Sequence, residues 1–398
     1  MNKSFAIIDF GTSKITVMVG SRGINDTVNI DGIGICDYAG FVGGEWLDVE
    51  DLGGAVAQAV STAESSAHRK IEKLYVGVPG DFLSCEVNDV VISLGKKRRI
   101  TENDVSDLHA RGNFYSDDKE NTVINIQPIY YTLDDDRKLI VPVGMTSTRL
   151  GGSISYILAS NEFIRLINSA AAFAGVPETE YVAAPLAETM LLFDDYKRDN
   201  CTILADVGAL GTTLTVGRGD GLCRVYYFPW GGECITAALS DGLGISQEDA
   251  ERLKRKVNLS LNPAFEPDPL DFGVMQTEYA VETKAARITY PVAMTNSIVE
   301  SEIDRFARYV EKTLRICDYD YPEFTPLSIT GGGLVHIRGA IQRVSKLLER
   351  EVEEVAPTQP LFNRPQHSSA LGLLDMVLRS EMQYDGLLGR IRRWFARR

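Results

Sequence analysis

The chain has 398 residues and a formal net charge of −14, so it is long enough for two or more domains, and its charge argues against broad nucleic-acid binding because phosphates would be repelled. No window of about 20 apolar residues occurs, which disfavours a membrane-spanning helix, and the N-terminal segment runs into a strand-like pattern rather than a signal peptide. The six cysteines and four histidines are scattered, which predicts reduced thiols and no zinc site.

The first predicted element is a hairpin over residues 5–20, FAIIDFGTSKITVMVG, in which two strands flank a Gly/Thr/Ser turn. Backbone N–H groups in such a turn can converge on phosphate oxygens, and a lysine there adds a positive charge. Asp9 ends the first strand, where a carboxylate can hold Mg²⁺ through water. The turn supplies the candidate nucleotide-binding residues Gly11, Thr12, Ser13 and Lys14.

The middle of the chain predicts a separate module. Residues 72–80 favour a strand and a turn, and residues 81–160 hold short alternating runs around one helix that Thr101 would cap. This pattern is typical of an α+β subdomain. Further along the chain, helices are expected at 161–175, 246–258 and 297–318, and a proline-rich exposed loop is expected at 259–275.

A second hairpin, over residues 201–217, repeats the first. With Asp206 aligned to Asp9, Gly208 falls on Gly11 without a gap, which indicates a duplicated domain with one hairpin in each half. Two such turns facing each other would clamp a triphosphate, with Asp206 as the second metal-binding residue. The second turn adds the candidate nucleotide-binding residues Gly208, Gly211 and Thr212.

A third glycine run lies in residues 327–348, where a strand ends and a helix follows. Such a junction could pass close to a flat base, because glycine carries no side chain. Its candidate residues are Gly331, Gly332 and Gly333.

The last segment, GLLGRIRRWFARR at 386–398, predicts a basic amphipathic helix. At 100° per residue, its apolar side chains fall in an arc of about 120° with the arginines outside it. The pattern suits a helix lying in an anionic membrane interface, and a helix docked on the acidic body of the protein is the alternative. The predicted membrane-binding residues are Leu387, Leu388, Arg390, Ile391, Arg393, Trp394, Phe395 and Arg397.

The three glycine elements together resemble the superfamily of actin, heat-shock chaperones and sugar kinases. AIIDFGTSK is similar to its first phosphate loop, DVGALGTT to its second, ITGGG to its adenosine loop, and HSSALGLLDM to the helix that returns to the first domain. EDAERLKRK resembles the helix that contacts adenosine, which implies nucleotide-binding roles for Glu251 and Lys254.

Within this superfamily the chain resembles the FtsA family of bacterial cell-division proteins. VPVGMTSTRLGG is similar to a stretch of that family's inserted subdomain, PWGGECITAALSDGLGISQEDAERLK to the run after its second phosphate loop, and the basic tail to its C-terminus. The resemblance implies an α/β, actin-like (ribonuclease H-like duplicated) two-domain fold with an inserted α+β subdomain and a C-terminal amphipathic helix.

The domain boundaries follow from these elements. The first domain is expected at 1–80 and 161–200 with a return helix at 367–380, and the insert at 81–160. The second domain is expected at 201–366, with a smaller subdomain at about 240–300, and a linker and the membrane helix are expected at 381–398.

The resemblance also implies a function. ATP and Mg²⁺ would be the ligands, and the chain would polymerise into an actin-like filament on the cytoplasmic face of the cell membrane at the division site. Its expected partners are the C-terminal peptide of FtsZ, copies of itself, the anionic membrane surface and other divisome proteins, but no nucleic acid. The FtsZ peptide is expected at residues 240–300, where the helix carrying Arg252, Lys254, Arg255 and Lys256 is basic.

The chain departs from the family at positions that matter for hydrolysis. Ala209 and Leu210 replace the glycines of the second loop, Leu214 follows its threonines, and Ala184 stands before the PLA motif where relatives commonly have Glu. No catalytic residue is assigned, and the chain is expected to be at most a slow ATPase. Glu188, one helical turn after Ala184, is a possible substitute, although a surface or structural role is the preferred interpretation. A small-molecule kinase and a pilus-assembly adaptor of similar fold are the alternative functions.

Overall fold

The computed structural model describes residues 3–23, 27–115, 118–260, 277–282 and 287–385. The predicted tail helix, with all the membrane-binding candidates between Leu387 and Arg397, lies outside the described residues, as does most of the predicted loop at 259–275. Within the described part of the chain, no helix is both long and apolar enough to cross a bilayer.

The first half starts with strands around one helix. Its elements are β1 (Ser4–Phe10), β2 (Lys14–Arg22), β3 (Val28–Asp37), β4 (Phe41–Val42), β5 (Glu45–Trp46), α1 (Leu52–Ala67) and β6 (Lys73–Val78). The insert follows with β7 (Leu83–Arg99), α2 (Glu102–Gly112), β8 (Asn121–Thr132), β9 (Lys138–Leu139) and β10 (Thr146–Ser160). The chain then returns to the first half with α3 (Asn161–Phe173), β11 (Glu178–Ala183), α4 (Ala184–Leu192) and α5 (Asp195–Asn200).

The second half repeats the strand pattern of the first. Its elements are β12 (Thr202–Val207), β13 (Thr212–Arg218), β14 (Gly221–Phe228), α6 (Gly232–Leu243), α7 (Gln247–Lys254), β15 (Glu278–Glu282), β16 (Arg287–Pro291), α8 (Val292–Ile316), β17 (Leu327–Thr330), α9 (Ala340–Leu348) and β18 (Val352–Glu354). The long helix α10 (Ser368–Asp385) follows and packs on the sheet of the first half.

The two halves are built on matching five-stranded sheets. The strand orders are β3-β2-β1-β6-β11 and β14-β13-β12-β17-β18, and in each sheet three antiparallel strands are followed by two parallel ones. The central hairpins also share their register: Asp9 pairs with Thr16 in the first, and Asp206 pairs with Thr213 in the second. The predicted duplication is therefore confirmed at the level of strand pairing.

Alternating side chains of β1 serve two separate cores. Ile8 packs with residues of α1 and α3 on one face of the sheet, whereas Ile7 packs with α4 and α10 on the other. Because this central strand is buried on both faces, its sequence is a continuous apolar run rather than an alternation of apolar and polar residues.

The insert forms its own four-stranded sheet, ordered β7-β10-β8-β9, with α2 packed on it. Thr101 caps α2 as expected: its hydroxyl accepts from the N–H of Asp104, whose carboxylate accepts from the N–H of Thr101. Arg98 pairs with the same carboxylate, which holds the pKa of Asp104 far below its usual range.

Some helix boundaries differ from those expected. Helix α8 begins at Val292, directly after the hairpin β15–β16, and α7 ends at Lys254, where the chain turns back. Helix α10 continues to Asp385, beyond the expected end at 380. Helix α1 was not predicted, although alanine, the strongest helix former, is frequent in its sequence. It can pack closely because a Cβ on Gly34 of β3 would lie 1.9 Å from the Ala59 carbonyl oxygen.

Candidate functional site

A cleft of about 320 Å³ lies between the two halves, at the turns of their central hairpins. Its walls also include the glycine run after β17, one face of α7 and the start of α10. It brings together most of the residues that the sequence singled out, namely Asp9, Gly11, Thr12, Ser13, Lys14, Asp206, Gly208, Glu251, Lys254, Gly331, Gly332 and Gly333.

The two hairpin turns have the same closure and meet across the cleft. The N–H of Gly11 donates to the Lys14 carbonyl over 3.0 Å, and the N–H of Gly208 donates to the Gly211 carbonyl over 2.9 Å. The N–H of Leu210 donates to Oγ1 of Thr12 over 3.1 Å, which joins the turns directly. The cleft is therefore closed at its base by contacts between the halves.

Two predicted residues of the second turn do not line the cleft. A Cβ on Gly211 would lie 2.3 Å from the ring of Tyr227, so this position faces β14. Thr212 is buried, and its hydroxyl donates to the Trp230 carbonyl over 2.6 Å. Both contacts come from residues that follow in β14 and after it, which a local turn pattern does not reveal.

The third glycine run packs on the second hairpin rather than standing free. Gly331 has a φ of +86°, and a Cβ there would meet Oδ1 of Asp206 at 2.3 Å. A Cβ on Gly333 would meet the Gly208 carbonyl oxygen at 2.3 Å, whereas one on Gly332 would touch only Gln366, at an ordinary 3.4 Å. The outer glycines are thus required by packing, and Gly332 alone has room for a side chain.

Glu251 and Lys254 form one polar cluster on the cleft side of α7. The Lys254 ammonium is buried, ion-paired with Glu251, and donates to Oγ1 of Thr236 over 2.8 Å and to the Gly232 carbonyl over 3.0 Å. Burial would raise the pKa of Glu251, but hydrogen bonds from Lys254, Thr236 and Arg255 lower it. The cluster presents a fixed carboxylate and a fixed cation to the cleft.

Two aspartates face each other at the ends of the central strands. Burial raises the pKa of Asp9, although a 2.6 Å hydrogen bond from Ser369 and the charge of Lys14 oppose the shift. Burial, together with the negative charge of Asp9, raises the pKa of Asp206 to about 7. No described residue donates a hydrogen bond to the Asp206 carboxylate, which is therefore open to a ligand.

Glu188 is the residue of this site whose position the sequence interpretation missed. It is 2% exposed and lines the cleft, so a surface position is wrong, whereas a structural role stays a prediction. Burial and the charges of Asp206 and Asp9 raise the pKa of Glu188 well above its usual value, and the Ser368 hydroxyl donates to it. The signal in the sequence was its spacing of one helical turn from Ala184.

The three carboxyl groups fit a hydrated cation. Among the described residues, no group of three or more His, Cys, Asp or Glu side chains is close enough to ligate a metal directly. The mutual repulsion of Asp9, Asp206 and Glu188 nevertheless makes a positive charge between them favourable. Mg²⁺ retains several of its waters, so carboxylates can hold it through those waters.

Comparison with protein families matches two models to this chain. The model described as cell division protein FtsA covers residues 203–372, and the model described as the SHS2 domain inserted in FtsA covers residues 80–158. The chain belongs to the FtsA family. The second match coincides with the insert sheet formed by β7 to β10, so the family assignment and the insert's own fold agree.

Relatives within the FtsA family align over nearly the whole chain. The cell division protein FtsA of Bacillus subtilis is 24% identical over 382 residues, which is 95% of this chain and 84% of the relative. That of Escherichia coli K12 is 23% identical over 92% of this chain and 88% of the relative, and that of Neisseria meningitidis is 21% identical over 98% and 97%.

Solved structures of similar fold confirm the predicted actin-like architecture. The type IV pilus biogenesis complex PilM–PilN matches with a TM-score of 0.58 and 14% identity over 95% of this chain and 99% of that one. MreB5 of Spiroplasma citri bound to AMPPNP matches with a TM-score of 0.54 and 9% identity, over 97% and 100% of the two chains. At such identities the likeness establishes the fold alone.

Proposed function

We propose that this member of the FtsA family binds ATP with Mg²⁺ between its two halves, assembles into a filament on the inner face of the cell membrane, and tethers FtsZ to it. The observation that carries the proposal is the cleft, where both hairpin turns, the glycine run and the Glu251–Lys254 pair converge. Structures of MreB5, which has the same fold, contain ADP or AMPPNP, which supports a nucleotide here.

Each wall of the cleft has a distinct task in this proposal. The turn from Gly11 to Lys14 would take phosphate oxygens through backbone N–H groups, hydroxyls and one ammonium. Asp9 and Asp206 would hold the waters of Mg²⁺, which supplies positive charge against the phosphates. Glu251 and Lys254 would orient the ribose, and Gly332 would pass beside the base.

Isothermal titration calorimetry tests whether the chain binds the nucleotide. The chain should bind ATP in the presence of Mg²⁺, and Asp206→Asn should weaken the Mg²⁺-dependent part of that binding without lowering the melting temperature. Asp107→Asn, an exposed position on α2, is the matched control and should bind like the parent. Folded protein that shows no ATP binding at millimolar concentrations contradicts the proposal.

Turnover should be slow. Ala184 leaves the start of α4 without the acidic group that relatives commonly place there, and the pKa of Glu188 is raised by burial and by two neighbouring carboxylates, which weakens its negative charge near neutral pH. A steady-state rate at or above about 10 s⁻¹ would show instead a competent enzyme.

The FtsZ peptide is proposed to bind the smaller subdomain of the second half. Of the four basic residues expected on its helix, Lys254 is buried in the cleft and Arg252 is paired with Glu248 and Asp249. The remaining two, Arg255 and Lys256, join Arg287 and Arg338 in a cavity of about 450 Å³. Glu278 and His336 also line this cavity, and burial lowers the pKa of His336. An acidic peptide is the complementary ligand.

A fluorescent peptide of the FtsZ C-terminus tests this site by polarisation. Arg338→Glu should weaken binding, and added salt should weaken it further, since the contacts are between charges. Arg308→Glu on the exposed side of α8 is the matched control. If Arg338→Glu and Arg308→Glu bind alike, the peptide uses another surface.

Membrane attachment is proposed for the amphipathic segment 386–398. A chain that ends at Asp385 should lose flotation with anionic liposomes and keep its ATP affinity. Trp394→Glu should do the same, because it places a charge in the apolar stripe. Equal flotation of the truncated and full-length chains would favour the docked-helix alternative.

The kinase and pilus-adaptor alternatives have less support. The similarity to PilM–PilN, at 14% identity, concerns the fold alone. Both family models that match this chain are those of the cell-division family. A kinase activity would appear as nucleotide turnover that depends on a small-molecule acceptor.

A further inference from the structure

One end of the insert carries a basic and apolar surface that the functions proposed above do not use. We call it the insert tip, and it consists of residues 94–99 of β7 and the loop 140–145 that precedes β10. The two segments are joined by backbone hydrogen bonds: the N–H of Ile100 donates to the Met145 carbonyl over 2.8 Å, and the N–H of Gly144 donates to the Ile100 carbonyl over 2.9 Å.

A bulge of four residues displaces part of β7 from the sheet at this end. Arg98 pairs with Ser147 and Ser93 pairs with Arg149, so four residues of β7 lie opposite a single residue of β10. Gly95 has a φ of +73° and Gly144 a φ of +85°, and a Cβ on either would have no atom within 4 Å. The tip is therefore convex and surrounded by solvent.

The tip is positively charged although the whole chain is acidic. Lys96, Lys97 and Arg99 are exposed and form no ion pair with any residue the structure describes. The nearby cations Arg98 and Arg149 are instead paired with Asp104 and Asp136. Asp134 accepts hydrogen bonds from Thr148 and the Arg149 N–H, so this acid is also occupied within the insert.

Aliphatic side chains stand beside these cations without a covering. Val141 is 67% exposed, Val143 40% and Met145 39%. Three aliphatic side chains on one short loop are not needed for the insert core, which is closed by other residues, among them Leu94 and Ile100. An exposed apolar patch next to cations is typical of an interaction surface.

We propose that the insert tip is a second membrane-contacting surface. Lys96, Lys97 and Arg99 meet the anionic headgroups of the bilayer, while Val141, Val143 and Met145 enter its interface. The inference rests on the membrane attachment proposed above for residues 386–398. It supplies a second contact, and stable attachment to a membrane commonly needs two weak ones.

The shape of the tip favours a bilayer over an acidic protein segment. A peptide binds best in a concave groove that removes it from water, whereas the tip projects through two left-handed glycine turns. A bilayer interface accepts a convex surface and accommodates cations and aliphatic groups at adjoining depths.

Flotation of the full chain with liposomes tests the proposal. Vesicles that contain phosphatidylglycerol in phosphatidylcholine are compared with vesicles of phosphatidylcholine alone. The double variant Lys96→Glu/Lys97→Glu should bind the anionic vesicles at least about thirtyfold more weakly than the parent, since two lost attractions account for that factor and the introduced carboxylates add a repulsion. Val141→Ser/Val143→Ser should weaken binding with little change in its salt dependence.

Two controls separate an effect of the tip from an effect of net charge and from loss of folding. Lys312→Glu/Lys346→Glu makes the same charge change at exposed positions of α8 and α9, and should float like the parent. Melting curves of all variants should coincide with that of the parent, because every substituted side chain is exposed.

The outcomes are distinct. If the full chain floats and the Lys96→Glu/Lys97→Glu variant floats equally well, the tip proposal is overturned while the tail proposal stands, and an acidic protein becomes the better occupant. If that variant loses binding while the chain ending at Asp385 keeps it, the tip is supported and the role of the tail is overturned. If the full chain binds neither kind of vesicle, both proposals fail.

Discussion

At the scale of single residues, the carboxyl groups of the cleft oppose one another. Burial raises the pKa of Asp9, Asp206 and Glu188, whereas the Lys14 ammonium lowers that of Asp9. The charge of Asp9 raises the pKa of Asp206 further, and both aspartates raise that of Glu188. Ionising all three in the empty cleft is unfavourable. A cation that arrives with a ligand removes this repulsion, so the cost of the empty state adds to the preference for the bound state.

Asp206→Asn should change how stability depends on pH. The pKa of Asp206 is raised from 3.8 to about 7 in the fold, so its contribution is fully present below about pH 4 and is lost as the pH rises to about 7. Relative to the parent, the variant should therefore gain up to about 4 kcal/mol in unfolding free energy across that window. Denaturant titrations without nucleotide measure this; parallel profiles for the two proteins would contradict it.

Alanine at two adjacent glycines should have opposite outcomes. Gly333→Ala places a methyl group 2.3 Å from the Gly208 carbonyl oxygen, and should destabilise the fold by about 1–3 kcal/mol. Gly332→Ala meets only Gln366 at 3.4 Å and should leave unfolding nearly unchanged, while it narrows the cleft and weakens ATP binding. Thermal melting and calorimetry on both variants separate packing from binding.

At the scale of elements, α10 joins the end of the described chain to the first sheet. Leu373 and Leu374 pack on β1 and β6, and the close contact at Gly77 is with Leu373. A buried ion pair also links α10 to the end of β2: Nη2 of Arg22 lies 2.9 Å from Oδ1 of Asp375, and both side chains are 8% exposed. The segment proposed to bind the membrane thus starts from a helix that is fixed to the body.

Removing the acidic partner should weaken this attachment strongly. Asp375→Ala removes the carboxylate that pairs with the buried Arg22 guanidinium at 2.9 Å, which should reduce the unfolding free energy by about 3–5 kcal/mol. Arg379→Ala removes the other ion pair of Asp375, but this arginine side chain is 61% exposed and the loss should be below about 1 kcal/mol. Equal losses in a urea titration would contradict the assignment of Arg22 as the partner that matters.

The elements that the sequence predicted well are those with a local signal. The hairpins of both halves were predicted from apolar strands around glycine turns, and the start of α2 was predicted from Thr101, a typical N-cap residue. Helix α1 was missed because it depends on two glycines of β3 that admit it closely. In the site, the orientation of Gly211 depends on Tyr227, and the burial of Glu188 depends on α10, so these features required the tertiary structure.

At the scale of the whole molecule, the insert connects both halves. Its β10 carries Ser155, whose hydroxyl donates to the Leu222 carbonyl of β14 over 2.6 Å, and Cys85 of β7 approaches the same carbonyl. Leu222 also shares a buried cluster with Ala183 and Leu186 of the first half. The base of the insert is therefore in contact with both halves.

A ligand that contacts both halves should stabilise them together. With ATP and Mg²⁺ at about 100 times the dissociation constant, unfolding should require roughly 2.7 kcal/mol more than without ligand. Calorimetric scans should show the whole transition moving upward, because the insert and the cleft link the two halves. A scan in which one half melts at its ligand-free temperature would show that the halves are independent.

The paired hairpins also determine the direction in which a ligand lies. Their registers are equivalent, yet the position of Lys14 in the first corresponds to Gly211 in the second, and that of Ser13 corresponds to Leu210. Two identical walls would bind an elongated anion equally well in either of its two orientations. Since one wall keeps a cation and hydroxyls that the other lacks, the duplicated scaffold is asymmetric at the cleft where the nucleotide is proposed to bind. The cleft therefore favours one orientation of the proposed nucleotide, with its phosphates toward Lys14, and each copy of the chain would bind the nucleotide in that same orientation.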